Sequence, residues 1–568
     1  HGGVQLAGAM GYHHRPCRLT RSTAEGRGPP AMAPPEQVTS EPALGNARRW
    51  AITVTVMLVS VLQILDTSIT NVALPHIQGA LSAGLDEVSW VLTSYLAANA
   101  IVLPATGWLT ARLGRRRFFL LCTSLFTISS FLSAIAPSVE LLIAARVLQG
   151  LGGGPIIPIA QAVLWELFPP RQRGMAMAVW GMGIVLAPTF GPTVGGWIAD
   201  NWSWRWIFYI NLPIGIVGFV MASILLFDSP HAKPAGRADV LGMLLMIAGF
   251  GGLQFVLDRG ERADWFDSGM ITGLAVLAVA ALTAFVIREL TADEPLLDLS
   301  MLADRNFTVG SVVMSVAGFG FYASMLLLAL YTQKLMGYDA WTSGLVLAPS
   351  GIGQAVTLLF VGYLVSRYDQ RIILAFGVLM NGLATYLMST ATLGVDFWSL
   401  AFPRLIQGVG MGCIFVPLQM LAFASIPMRH LPNATALFSV VRNVGGSAGV
   451  AISTTLLSRR AQLHQSALVA NVHVWAPETT ERLRLWTQHF QARGADAMTA
   501  GQQAMAMLYR ETQTQAQVLA FMDDFRLLAV MYAGLVLLIF FMHRVRAEPA
   551  GRKGAAGERA VVAAAAAE

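Results

Sequence analysis

Fourteen separate runs of mostly apolar residues divide the chain, each near the roughly 20 residues a helix needs to cross a bilayer. They begin near Ala51, Val88, Phe118, Val139, Gly174, Trp206, Val240, Ser268, Phe307, Trp341, Ile372, Phe397, Asn433 and Phe525. Hydrocarbon holds no water to satisfy backbone N–H and C=O groups, so such segments fold as helices that bond internally. The expected fold class is an all-α polytopic membrane protein with 14 transmembrane helices. The pair beginning near Val240 and Ser268 is the least sharply delimited, and the acidic stretch 258–267 separates its members.

Composition excludes the soluble alternatives. Of the 568 residues, 55% are hydrophobic and only 12% charged, against about 25% charged in an ordinary soluble domain. A water-soluble enzyme cannot be wetted by so little charge, and a disordered or fibrous chain would not carry so much apolar surface. The net charge of +6 would fit a nucleic-acid partner if it were clustered. The Lys and Arg are instead dispersed between apolar runs, which is the pattern that orients a protein in a lipid bilayer. Cys17, Cys122 and Cys413 stand alone, and His13 and His14 have no neighbouring ligands, so no disulfide framework, metal site or cofactor is expected.

Positive charge in short loops marks the cytoplasmic side. With the N-terminus inside, the inner loops hold Arg112, Arg115, Arg116, Arg117, Arg171, Arg173, Lys233, Arg237, Arg288, Arg305, Arg367, Arg371 and Arg429. The outer loops hold only Arg205, Arg259, Arg262 and Lys334. Both termini are then cytoplasmic, in a multi-pass protein of the cell (inner) membrane. Residues 1–48 read as a disordered tail with no apolar core of a cleavable signal, and Met32 is a candidate start. The layout expected is an N-terminal six-helix bundle at 49–227, an inserted helix pair and cytoplasmic linker at 228–306, a C-terminal six-helix bundle at 307–545 and a disordered tail at 546–568. Residues 458–523 form a long, Gln-rich external loop with helix-compatible stretches, read first as a cap over the outer mouth and second as a docking surface.

An internal repeat organises the bundles. Arg146-Val-Leu-Gln149-Gly150-Leu-Gly152 recurs as Arg404-Leu-Ile-Gln407-Gly408-Val-Gly410, and Gln161 recurs as Gln419 at the same offset. A weaker echo links Gly107-Trp-Leu-Thr-Ala-Arg112 to Gly362-Tyr-Leu-Val-Ser-Arg367. Two six-helix halves are thus related in parallel, with helices 7 and 8 inserted between them. Halves of this kind that meet at the midplane suit a rocking carrier.

Ionisable residues at membrane depth are costly and default to functional roles. Asp66 is the only carboxylate well inside an apolar run; Arg146, Arg404 and Arg442 are the deep cations. Gln63, Asp66 and Thr70 follow i, i+3, i+7 and share one helical face, which must meet a cavity or a polar partner. Burial raises a carboxylate pKa and a nearby cation lowers it, so Asp66 with Arg146 is the expected proton-coupling pair. The structural alternative is an ion pair that only locks helices 1 and 4. Arg404 has two equal readings, contact with an anionic substrate group or satisfaction of broken-helix carbonyls. Arg442, beside the Gly445-Gly446 pair, reads as structural. Gln63, Thr70, Asn71, Gln149, Gln161, Arg404, Gln407 and Gln419 are the residues expected to line a substrate cavity.

Gly183, Ala187, Gly191 and Gly195 form a small-residue stripe on helix 5, and Pro188 and Pro192 each delete a backbone bond beside it. This combination reads as a tight, bendable contact that gates one side. Gly445, Gly449 and Ser453 suggest a related stripe on helix 13. The loop holding Gly107, Arg112, Gly114, Arg115 and Arg116 reads as a topology anchor, with a gate latch as the second reading.

These residues resemble a known family. Asp66-Thr-Ser-Ile-Thr-Asn71-Val-Ala-Leu-Pro75 resembles the helix 1 signature of fourteen-span drug:proton antiporters of the major facilitator superfamily. The stretch 107–117 resembles the superfamily's cytoplasmic loop motif, 146–154 its helix 4 motif, and 183–196, centred on Gly191-Pro192, the helix 5 motif of antiporters. Trp204-Arg-Trp-Ile-Phe-Tyr-Ile-Asn-Leu-Pro213 resembles the EmrB/QacA-type branch of multidrug exporters. Ala111 departs from the pattern, which usually has an acidic residue there, so a charge-relay latch at that position is in doubt. The resemblance covers about 49–545 and implies the major facilitator fold, two six-helix bundles plus two inserted helices. It also implies export of small hydrophobic, often toxic compounds in exchange for inward protons, with the proton gradient in place of a cofactor. Members of that branch can work with a periplasmic adaptor and an outer-membrane channel.

Two other functions compete: a dedicated exporter of one metabolite, such as a siderophore or antibiotic, and a non-transporting membrane subunit. Retention of Asp66 with Arg146 argues against the last. An enzyme is disfavoured because no nucleotide loop and no cluster of nucleophile, base and oxyanion groups appears at a span end.

Overall fold

A computed structural model describes residues 45–229, 239–292, 295–473 and 475–544, and these are helical nearly throughout. The expected tails fall outside the described residues except for 45–48, as do Lys233 and Arg237 of the expected inner loops. The first half comprises α1 (Asn46–Ala80), α2 (Leu85–Val102, continued as Thr106–Leu113), α3 (Arg115–Ile135), α4 (Val139–Leu167), α5 (Pro170–Asn201) and α6 (Trp206–Leu225). The inserted pair is α7 (Val240–Arg259) and α8 (Gly269–Thr291). The second half comprises α9 (Arg305–Leu335, ending in a π turn), α10 (Ala340–Leu364), α11 (Gln370–Met388), α12 (Phe397–Ala422) and α13 (Leu431–Val469), then α14 (Pro477–Ala492) and α15 (Ala497–Ile539). Proline explains the interruptions. Pro104 lies at the 64° bend of α2, and Pro155 at the break inside α4, each removing a backbone donor.

Twelve of these helices are long and apolar enough to span a membrane, and the bent α2 makes a thirteenth. The fourteenth apolar run is the last part of α15, which enters it through Asp523, Asp524 and Arg526. The scarce acidic residues have a shared use. Asp239, Asp304, Asp339, Asp369, Asp396 and Asp496 sit at the N-caps of α7, α9, α10, α11, α12 and α15 and accept from first-turn N–H groups. Such a cap is worth about 0.5–2 kcal/mol over alanine, and its charge also suits the positive end of the helix. Partial burial pushes the Asp369 carboxyl up. Hydrogen bonds and charge from Arg371, with Arg544 nearby, nevertheless hold it below the ordinary carboxylate range.

In the first half α1 packs on α5 and α6, and α4 on α2 and α3. The second half repeats this plan, with α9 on α13 and α12 on α10 and α11. Each half has an apolar core: one includes Ile69, Val91, Leu142 and Phe208, the other Leu327, Tyr331, Leu400 and Phe525. The halves meet where α5 lies on α10, and where α2 and α4 approach α13. The inserted α7 touches both halves. Arg259 donates to Ser89 of α2 at 2.7 Å, while Ser447 of α13 donates to Gln254 at 3.1 Å. Its partner α8 turns Val276, Leu277, Val279 and Ile287 outward, as lipid contact requires.

The segment 458–523, expected as a long loop, is mostly helix. α13 runs on to Val469, α14 follows, and α15 begins at Ala497. Asp523 ties the extension together by accepting from His464 at 2.9 Å and pairing with Arg460 at 3.8 Å. Arg482 and Trp486 of α14 both reach Glu511 of α15.

Candidate functional site

Asp66 and Arg146 are both fully buried and paired at 2.6 Å. Three nitrogen donors meet the Asp66 carboxylate: Arg146 Nη1, Gln149 Nε2 at 2.9 Å and Asn211 Nδ2 at 2.7 Å. Ser130 stands beside them and accepts from Gln149 at 2.6 Å and Asn211 at 3.1 Å. Arg146 Nε donates to the Val91 carbonyl at 3.1 Å, and its guanidinium lies 4.3 Å from the Tyr95 ring centroid. The site therefore gathers α1, α2, α3, α4 and α6 around one carboxylate. Its two oxygens accept from all three donors. Loss of the Asp66 charge would leave Arg146 buried with no counter-charge among the described residues.

Gln63 and Thr70 are buried on the same face of α1, as their spacing predicts. Asn71 is exposed and apart from this cluster. Tyr95, Ser130 and Asn211 were not anticipated. Asn211 had a signal, a lone amide inside an apolar run; Ser130 had none that separates it from Ser129 and Ser133, whose hydroxyls bond to their own helix.

The second half contains the same arrangement with one change. Arg404 and Gln407 are buried and bonded to each other, Arg404 Nη2 donates to Ser350 Oγ at 3.0 Å, and Gln407 Nε2 donates to Ser324 Oγ at 2.7 Å. Gln161 and Gln419 are 258 residues apart, and so are Arg146 and Arg404, Gln149 and Gln407, and Asp66 and Ser324. Ser324 therefore occupies the place of Asp66. The repeat-related Gln161 and Gln419 themselves meet between the halves, the first donating to the second at 3.5 Å, both fully buried. Trp165 and Phe423 stack edge-on one turn further along, with ring centroids 5.5 Å apart.

The glycine stripe of α5 packs within its own half. A Cβ on Gly183 would come 2.8 Å from Met57, on Gly191 2.6 Å from Ser68, and on Gly195 3.0 Å from the Ile69 backbone, all on α1. Gly445 and Gly449 of α13 approach Ser315 and Phe319 of α9 in the same way. Pro192 cannot donate to the Pro188 carbonyl, and Ser68 Oγ donates to that oxygen at 3.5 Å instead. Contact between the halves falls on other residues of α5: Gly174 faces Gly362, and Thr189 faces Gly351. Gly191→Ala is expected to cost about 1–3 kcal/mol by overpacking, read as a lower melting temperature of the purified protein.

In the loop motif, Gly107 abuts Asn433 of α13 across the seam between the halves. Arg115 is buried, pairs with Glu166 at the end of α4 and donates to the Phe227 carbonyl at 3.1 Å. The Arg116 N–H donates to Asp228 at 2.9 Å, and Arg112 is exposed. The two arginines thus tie the loop to its own half, while Gly107 faces the other. Gly114 has φ +81° and ψ 145°, an extended positive-φ conformation essentially reserved for glycine, in which a Cβ costs about 1–3 kcal/mol. Gly114→Ala is expected to lower the melting temperature, and an unchanged one would contradict this account.

Comparison with known proteins agrees with this architecture. The Major Facilitator Superfamily model matches residues 56–458. The chain is 36% identical to the multidrug export protein EmrB of Haemophilus influenzae over 492 residues, 86% of this chain and 95% of that protein. It is 36% identical to the fatty acid resistance protein FarB of Neisseria gonorrhoeae over 431 residues, 76% and 85% of the two chains. The solved structure of the human organic anion transporter MFSD10 (TETRAN) superposes with a TM-score of 0.58 at 14% identity, covering 86% of this chain and 99% of that one, a likeness of fold alone. Fold, internal repeat, family match and relatives agree: the chain belongs to the major facilitator superfamily and is a multi-pass membrane transporter rather than an enzyme.

Proposed function

We propose that this transporter is a proton-coupled antiporter that exports hydrophobic drugs or toxic compounds across the cytoplasmic (inner) membrane by alternating access. Asp66 is the coupling carboxylate and Arg146 its partner. The observation that carries this reading is the fully buried Asp66, held by donors from α4 and α6, so that its charge state bears on how the helices of the first half sit together. The relatives named for multidrug export and fatty acid resistance support export of amphiphilic compounds. In this reading both termini are cytoplasmic, and 49–227 and 307–545 are the two rocking bundles. Gln63, Thr70, Gln149, Gln161, Arg404, Gln407 and Gln419 serve the cavity between them, and the α13–α15 extension lies outside the membrane, where a periplasmic adaptor leading to an outer-membrane channel would approach.

Substrate-induced proton release from the purified protein, measured at several pH values, tests the reading. Release is expected on addition of a transported drug. Drug binding with no proton released at any pH would overturn it. A panel of unrelated toxic compounds, with and without expression, separates a multidrug exporter from one dedicated to a single metabolite.

A further inference from the structure

We infer that the second half of the transporter holds an anion-receiving site at Arg404, built to take a monovalent anionic group such as the carboxylate of an amphiphilic organic acid. The inference rests on the difference between two otherwise matching clusters. In the first half the buried guanidinium of Arg146 is neutralised by Asp66. In the second half Ser324 stands where the aspartate would be, and its hydroxyl already donates to the Phe321 carbonyl while accepting from Gln407. Arg404 is left with two neutral acceptors, Gln407 Oε1 and Ser350 Oγ, and its Nε has no partner. It is 1% exposed and makes no ion pair among the described residues.

A guanidinium in a low-dielectric interior is strongly disfavoured unless a negative charge meets it. The carboxylates at 304, 339, 369 and 396 are occupied as helix caps, Asp523 and Glu511 of α15 pair with Arg460 and Arg482, and the buried Asp524 of α15 makes no ion pair among the described residues, so none of these meets Arg404. The counter-charge that α1 supplies in the first half must therefore come from outside the chain in the second. A carboxylate suits this position chemically, because the unpartnered Arg404 Nε offers it charge and a hydrogen bond together, while the Ser324 and Ser350 hydroxyls already donate to the Phe321 and Leu347 carbonyls. Export is needed only for the statement that the anion belongs to cargo; binding of the anion is independent of transport.

Thermal stability and equilibrium binding of the purified full-length protein test this with two probes, octanoate and chloride, in a sulfate background free of carboxylates and halides, with octanol as the uncharged control. Octanoate is expected to bind saturably and octanol is not. Ser324→Asp, which restores the internal counter-charge, is expected to weaken octanoate binding at least tenfold, and Arg404→Gln is expected to do the same. Saturable binding of chloride with none of octanoate supports the site and assigns it to a free inorganic ion. No saturable binding of either anion, binding of octanol equal to octanoate, or unchanged binding in a folded Ser324→Asp protein overturns it. If neither variant folds, the contrast between octanoate, octanol and chloride on the wild type decides alone. Failure here leaves drug-induced proton release intact, whereas failure of the antiporter reading is loss of that release with anion binding retained.

Discussion

Asp66→Asn is expected to remove proton-driven export by roughly 100-fold or more, the scale of losing a positioned proton-transfer group, while the protein still inserts in the membrane. The shape of the side chain is conserved but its bonding is not. Two carboxylate oxygens serve Arg146, Gln149 and Asn211, and the amide that replaces one oxygen would point a donor at donors. Arg146 also loses its only ion-pair partner among the described residues. Breaking one side of a buried pair costs about 3–5 kcal/mol, so a lower melting temperature accompanies the loss of transport. The double variant Asp66→Asn/Arg146→Gln separates the two effects. With the stranded charge removed, stability is expected to recover in large part, because the two positions are strongly non-additive. Transport is not expected to recover. Proton-driven export at the wild-type rate by Asp66→Asn, or rescue of transport by the double variant, would reduce the pair to a helix lock.

That pair was legible in the sequence because a charge inside an apolar run is rare, and rarity is what a single sequence displays. The repeat was legible for a related reason: Arg-x-x-Gln-Gly twice at one offset is an unusual string. The neutral members of the clusters carried no such mark. Ser130 and Ser324 look like any serine in a membrane helix, where the hydroxyl commonly bonds to its own backbone, and only the three-dimensional positions reveal that one faces Asp66's donors and the other replaces Asp66. Partner choice was equally hidden. The stripe on α5 announced close packing, but whether it met α1 or α10 depends on helix rotation, which glycine spacing does not encode. Residues 458–523 read as a loop because they lack the apolar length of a span, yet they form helices, since a polar helix needs no such length.

Gly107→Leu is expected to impair the cycle with little effect on folding, and the reason lies in which glycines sit within a half and which sit between the halves. Gly150 and Gly408 are within: a Cβ on either would lie 2.4 Å from the Tyr95 carbonyl or 2.0 Å from the Ser350 carbonyl, backbone atoms that no rotamer change can move. Gly408→Ala therefore strains every conformation of the transporter alike and should show as poor expression and a low melting temperature. Gly107 is between: its Cβ would lie 1.3 Å from Asn433 Oδ1 and 3.1 Å from Asn433 Cα, across the seam from α2 to α13. A leucine there is accommodated when the halves part at this end and excluded when they close. A penalty of about 3 kcal/mol confined to the closed arrangement shifts the balance by roughly 100-fold, at about 1.4 kcal/mol per tenfold. A cysteine introduced as Gln419→Cys, buried at the same seam in the closed arrangement, should react with a water-soluble thiol reagent correspondingly faster in the Gly107→Leu background. Wild-type transport by Gly107→Leu, or a thiol that stays protected in it, would mean that the halves do not separate at this seam.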